Sequence, residues 1–130
     1  MKRSDVLWTA LCLCLAACST EQRTQMEAEK LESFDLTVEQ RTIADALIVG
    51  YKAESGLPIL RSRDYARAAC YAKNVDMPRR YERAHLLYLE HYGEAEKDFY
   101  AFFQRQGIDD DTAWGMSERF RAAYDKCDLR

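Results

Sequence analysis

The stretch TVEQRTIADALIVGYKAESGLP, residues 37 to 58, decides the fold class. Thr37 with Gln40 three residues on is a capping box, in which each side chain bonds the other residue's backbone N–H. Behind it Ile43, Ala44, Leu47, Ile48 and Tyr51 recur every three or four residues, which is one stripe of an amphipathic helix. Gly56 can adopt the left-handed conformation that ends a helix, and Pro58 cannot continue one. Start, stripe and stop agree, so the spacing predicts a helix between Thr37 and Gly56.

The same rhythm continues toward the C-terminus. A second helix is predicted from near Ser62, with Tyr65, Ala68, Ala69 and Ala72 inward; these small residues allow close packing and carry Cys70 into the interior. Asn74 to Pro78 reads as a turn, and Pro78 suits the first turn of a third helix. That helix, near Arg79 to Tyr92, aligns Tyr81, Ala84, His85, Tyr88 and Tyr92 before Gly93 breaks it. A fourth carries Phe99, Phe102 and Phe103 and ends at Gly107. Asp109, Asp110 and Asp111 precede a fifth, where carboxylates meet free N–H groups and the positive end of the helix dipole. Ala113, Met116, Phe120, Ala123, Tyr124 and Cys127 form its stripe, and Gly115 weakens its first turns. No segment shows sustained β alternation. The expected fold is all-α, a compact bundle of about five short helices with one disulfide joining the last to the second.

The N-terminus has another character. Lys2 and Arg3 precede a run of mostly apolar residues, Val6 to Ala17, which falls short of the roughly 20 needed to span a bilayer. A basic start, a short apolar run and small residues at its end describe a secretory signal. Leu15-Ala16-Ala17-Cys18, within LCLCLAACST, resembles the lipobox of bacterial lipoproteins. The resemblance implies that residues 1–17 are removed, taking Cys12 and Cys14 with them, and that Cys18 becomes the first residue and carries acyl chains. Ser19, a residue other than Asp, then points to the outer membrane, with the domain facing the periplasm. An ordinary signal peptide with a cysteine at the cut is the alternative. Residues 18–35 are expected to form the lipidated cysteine and a polar tether, reaching roughly 55–60 Å when extended, and residues 36–130 the helical domain.

Export leaves Cys70 and Cys127 in an oxidising compartment, where an even number of cysteines invites a bridge. Two unpaired buried thiols are the alternative. A loop of this length gives about 4 kcal/mol in the chain-entropy picture.

Charge narrows the function. The net charge is −3, and loss of Lys2, Arg3 and Asp5 with the signal leaves −4, so nucleic acid is not an expected partner. Residues 61–83 are rich in arginine and residues 90–111 in carboxylates, which marks solvated helix faces or a field that steers a charged partner. The turns Asn74–Arg80 and Gly107–Asp111 carry opposite charge, making Arg79, Arg80, Asp109, Asp110 and Asp111 the candidate partner-binding residues. Tyr81, Tyr88, Tyr92 and Tyr100 read as core residues, with an exposed aromatic edge for a partner as the sharper reading.

Catalytic patterns are missing. Glu82-x-x-His85 is half of a di-iron carboxylate pattern and has no second copy. His91 with Glu94 supplies two ligands, too few for a site. There is no Gly-x-Ser-x-Gly elbow and no phosphate-binding glycine loop, and the three aspartates lack the spacing of a calcium loop. A thiol nucleophile conflicts with the bridge. No catalytic residue, metal, cofactor or small-molecule substrate is expected, and the chain does not read as an enzyme.

ARAACYAKN, Ala66 to Asn74, resembles the early cysteine helix of periplasmic immunity proteins against type VI secretion amidases, and FRAAYDKCD, Phe120 to Asp128, resembles their late one. Only Cys70 and Cys127 carry over, and the lipobox departs from that family's pattern. The resemblance implies a rigid helical domain that occludes a peptidoglycan amidase with a loop. Two expectations follow: a lipid-anchored envelope protein with a protein-binding domain, acting as an assembly or scaffold subunit, or an immunity-type inhibitor of a cell-wall hydrolase.

Overall fold

The computed structural model describes residues 29–92 and 98–129, and every described regular element is helical. The signal, Cys18, Gly93 and Glu94 lie outside the described residues.

The first long helix, α1 (Val38–Ser55), begins at the capping box: Gln40 N donates to Thr37 Oγ1 at 3.2 Å, and Thr37 N donates to Gln40 Oε1 at 3.0 Å. It ends at Gly56 with φ 68°, where the Gly56 N–H donates to Lys52 O. Helix α2 (Ser62–Asn74) follows after a short connection. A 3-10 turn, Arg79–Tyr81, leads into α3 (Glu82–Glu90), then come α4 (Phe99–Arg105) and α5 (Asp110–Lys126).

Three boundaries differ from the sequence reading. Residues 29–32 are already helical and Leu31 is 2 % exposed, so the packed domain starts before residue 36 and the expected tether gives up its last residues to the fold. The third helix opens as a 3-10 turn, because Tyr81 N bonds Pro78 O three residues back rather than four. It stops at Glu90: the His91 N–H donates to Leu87 O and Tyr88 O, and its imidazole Nδ1 lies 2.8 Å from Leu87 O.

Helix α1 packs on α2 and α3, α4 packs on α5, and α5 closes against α2. Ala44, Leu47 and Ile48 of α1 meet Ala68, Tyr71 and Ala72 of α2 and Leu89 of α3 in a single core. Gly50 marks the tightest approach: a β-carbon there would clash with the carbonyl oxygen of Leu89 and stand 3.0 Å from Tyr92 Cβ. Phe99 stacks on Phe120 at 4.1 Å between ring centroids, and Tyr88 meets both edge-on.

The core also holds one polar pair. Tyr71 and His85 are both buried, with the Tyr71 hydroxyl 2.6 Å from His85 Nε2. Burial holds the imidazole at about 4, well below its ordinary 6.5, and pushes the Tyr71 phenol up, so both are neutral near pH 7.

Cys70 and Cys127 form a disulfide with 5.7 Å between α-carbons. Cys127 is buried and Cys70 half-buried, at the edge of the interior rather than inside it. Asn74 Nδ2 covers the bridge, donating to Cys70 O at 2.8 Å and standing 3.6 and 3.8 Å from the two sulfurs.

Candidate functional site

The two charged turns lie on one face. Arg119 of α5 donates to the carbonyl and carboxylate of Asp76, at 2.8 and 2.9 Å, which ties the 75–78 turn to the last helix. Arg80 contributes to the field at Asp109 and sits over the Tyr81 ring at 5.7 Å. Much of this charge is engaged within the molecule. Arg79 pairs with Glu39 of α1. Asp109 is the N-cap of α5, accepting from Thr112 N at 3.1 Å and Thr112 Oγ1 at 2.9 Å, and those bonds hold its carboxyl below the usual range. Asp110 accepts from Gln104 at 2.7 Å, and Asp111 lies in the first turn of α5 beside it. Arg79, Asp109 and Asp110 thus have partners within the molecule, and all five of Arg79, Arg80, Asp109, Asp110 and Asp111 remain exposed.

A different site emerges where the helices converge. A cleft of about 890 Å³ opens between the C-terminal part of α1, α2, the end of α3, the start of α4 and α5. That volume lies within the roughly 300–1,000 Å³ usual for binding pockets. Four tyrosines line it: Tyr51, Tyr88, Tyr92 and Tyr124. Each arrives by helical periodicity. Tyr51 is the last member of the α1 stripe, Tyr88 and Tyr92 are one turn apart on and just beyond α3, and Tyr124 is one turn beyond Phe120 on α5.

The rings meet mostly edge to face. Tyr51 and Tyr92 stand 5.8 Å apart at 84°, and Tyr88 and Tyr92 6.4 Å apart at 82°. Tyr124 tilts toward Tyr92 at 6.4 Å. Burial pushes the phenols of Tyr51 and Tyr92 far up and that of Tyr88 up to about 12; a hydrogen bond with Tyr124 adds to the shift at Tyr92. They are therefore neutral hydrogen-bonding groups at any physiological pH. Among the described residues the buried Tyr51 hydroxyl has no hydrogen-bond partner, an arrangement that ordinarily costs about 1–3 kcal/mol.

The same walls carry Glu54, Asp64, Asp98 and Asp125 against Arg67 and Arg121. Arg67 stands 3.9 Å from Asp64, and the Arg121 guanidinium lies over Trp114 at 6.0 Å. Asp98 is the N-cap of α4, accepting from Ala101 N at 3.2 Å.

Of the aromatic residues expected to offer an edge, Tyr88 and Tyr92 belong to this cleft, Tyr81 lies beneath Arg80, and Tyr100 pairs with Trp114 at 5.9 Å. Tyr51, Glu54, Asp64, Arg67, Tyr124 and Asp125 were not legible as site residues. One signal did exist: Tyr51 and Tyr124 occupy inward stripes, and an inward tyrosine needs a partner for its hydroxyl.

Among the described residues, no three His, Cys, Asp or Glu side chains converge on a point that would hold a metal ion. No described helix is long and apolar enough to cross a membrane. The arrangement suits recognition: aromatic faces, neutral phenols and carboxylates on a scaffold closed by a covalent bridge. The chain matches no family model, and no curated protein and no solved structure is detectably similar to it.

Proposed function

We propose that this chain is an exported, lipid-anchored envelope protein whose helical domain binds a partner protein through the tyrosine-lined cleft, as an assembly or scaffold subunit. The observation that carries the reading is the Cys70–Cys127 bridge. Disulfides persist in oxidising compartments, and a signal ending at Ala17, just before Cys18, would deliver the chain to one, with Cys18 holding it at the membrane. More than one acyl chain is needed for stable anchoring, which lipoproteins of this type carry. Ser19 favours the outer membrane, facing the periplasm. The cleft is preferred to the Arg79–Asp111 face because tyrosines give large, rigid contact area at low entropic cost, while Arg79, Asp109 and Asp110 of that face already have internal partners.

The test has two parts. Cys18→Ala should abolish lipid labelling and membrane retention. A photo-crosslinker at residue 124 should capture one defined envelope partner, and the same group at Val38, 86 % exposed on the far end of α1, should not. A lipid-free Cys18 in the wild-type protein, or equal capture from both positions, would overturn the reading.

One observation favours a second reading. The bridge joins the two helices whose sequences resemble those of amidase immunity proteins. On that reading the domain occludes a peptidoglycan amidase, and the crosslinked partner would be a cell-wall hydrolase whose activity falls on addition of this protein.

A further inference from the structure

We infer that the Cys70–Cys127 bridge is a site of thiol–disulfide exchange: an external dithiol attacks Cys70 Sγ, Cys127 leaves as the thiolate, and the Asn74 side-chain amide steadies that thiolate. The site stands apart from the cleft and does not depend on what the cleft binds.

Burial sets the direction of attack. Cys127 is buried, whereas Cys70 is half-buried at the edge of the interior. An incoming thiolate must reach the sulfur it attacks, while the sulfur that departs need not be reached. The more open cysteine is therefore the electrophile, and the buried one is the leaving group.

Asn74 supplies the second argument. It is exposed, ends α2 and lies one turn beyond Cys70. Its Nδ2 donates to Cys70 O at 2.8 Å, which fixes the side chain. The same nitrogen stands 3.6 Å from Cys70 Sγ and 3.8 Å from Cys127 Sγ. Nearly equal distances place the amide beside the S–S bond and off its line. Exchange proceeds in line, with the nucleophile opposite the departing sulfur, so an amide at the side leaves that path open. It is also already within reach of the sulfur on which charge develops. The amide has two N–H donors, one for Cys70 O and one for a sulfur. A hydrogen bond to an ionised acceptor is roughly twice as strong as one between neutral groups, so the contact strengthens as Cys127 leaves. Cys127 caps the C-terminal end of α5, where the helix dipole disfavours an anion. A donor at that position offsets the dipole and makes Cys127 the better leaving group, since a leaving thiol of lower pKa departs faster.

The electrons balance in two steps. The first thiolate of the dithiol bonds to Cys70 Sγ, and the electron pair of the Cys70–Cys127 bond passes to Cys127, which takes a proton from water. The second thiol of the reagent loses its proton to water and attacks the mixed disulfide. It closes a bridge within the reagent and expels Cys70 as a thiolate. The dithiol is oxidised by two electrons and the bridge is reduced by two. The end of α5 then loses its covalent tie to α2 and keeps only its packing there.

The experiment uses the oxidised full chain purified from the envelope. Glutathione is added, the reaction is stopped with acid at early times, and mass spectrometry locates the mixed disulfide. Glutathione should sit on Cys70 at least about tenfold more often than on Cys127. Dithiothreitol reduction is then timed at one fixed pH. Asn74→Leu, close in volume but without a donor, should slow it several-fold and raise the pKa of the Cys127 thiol in the reduced chain. Asn74→Asp, the same shape with a negative charge, should slow it further. Glutathione on Cys127, or on both cysteines equally, overturns the direction of attack, and this arm needs no variant. Equal rates in the three proteins, or faster reduction of Asn74→Leu, remove the role of the amide: a faster rate would mean that Asn74 shields the bond.

Discussion

Gly50→Ala tests the tightest contact in the bundle. A β-carbon at position 50 falls well inside 3.0 Å of Leu89 O, a distance that such atoms essentially never cross, and also meets Leu89 C at 3.3 Å. The obstacle is helix backbone, so no rotamer change relieves it. Helices α1 and α3 must separate by roughly 1 Å, and a gap of that size forfeits a quarter to a half of the dispersion energy across the contact. Overpacked cores lose about 1–3 kcal/mol, occasionally more, and here the moving parts are two helices rather than one side chain. Alanine returns about 1 kcal/mol of helix propensity, so from the upper end of that range the net loss should be about 2 kcal/mol. In a domain of this size that lowers Tm by roughly 8–16 °C. Thermal and urea melts of the oxidised protein measure it. Gly115→Ala is the control: it lies within α5, and a β-carbon there meets nothing within 4 Å. That variant should gain about 0.5–1 kcal/mol. If the two substitutions shift Tm in the same direction, the close approach of α1 and α3 is wrong.

Three further outcomes follow. His85 is held at about 4 by burial against an ordinary 6.5, so the unfolded chain binds the proton more readily. Stability is then fully present above pH 6.5, falls as pH drops from there to about 4, and changes no further below, for a total of about 3 kcal/mol. Melts across that range check it, and a slope unchanged in His85→Asn would contradict it. Tyr71→Phe leaves His85 Nε2 buried without the partner now 2.6 Å away and should cost about 1–3 kcal/mol, read from denaturant midpoints. Replacing Cys70 or Cys127 by Ala should lower stability by about 2–4 kcal/mol; alkylation mass spectrometry that labels both wild-type thiols without reductant would remove the basis for that expectation.

Local chemistry made much of the fold legible. The two ends of α1 depend on Thr37, Gln40 and Gly56, all within a few residues of the helix they terminate, and the same holds for Asp109 at α5. What failed depended on distant residues. Tyr71 was left off the α2 stripe because a phenol beside three alanines does not announce burial; its partner, His85, comes from another helix. The 3-10 start of α3, made by the Tyr81 N to Pro78 O bond, lies just after a turn whose Asp76 is held by Arg119, 43 residues away. The cleft was the least legible part of all. It takes residues from five helices, and no one segment contains its pattern. At the charged turns, sequence shows the sign of Arg79 and Asp110 but not the contacts they make with Glu39 and Gln104.

The bridge between residues 70 and 127 turns part of the chain into a closed ring. The last turn of α2 and the whole of α3, α4 and α5 belong to the ring, while α1 lies outside it. One peptide-bond cut inside the ring therefore releases nothing; a protease must cut twice before a fragment departs. A single cut in the 56–61 connection has the opposite effect, leaving α1 held by non-covalent contacts alone, among them its packing on α2 and α3 and the Arg79–Glu39 pair. This makes α1 the exchangeable piece of the molecule. It can be excised and offered back as a separate peptide to a ring that remains covalently whole, whereas α3 and α4 have no such route out.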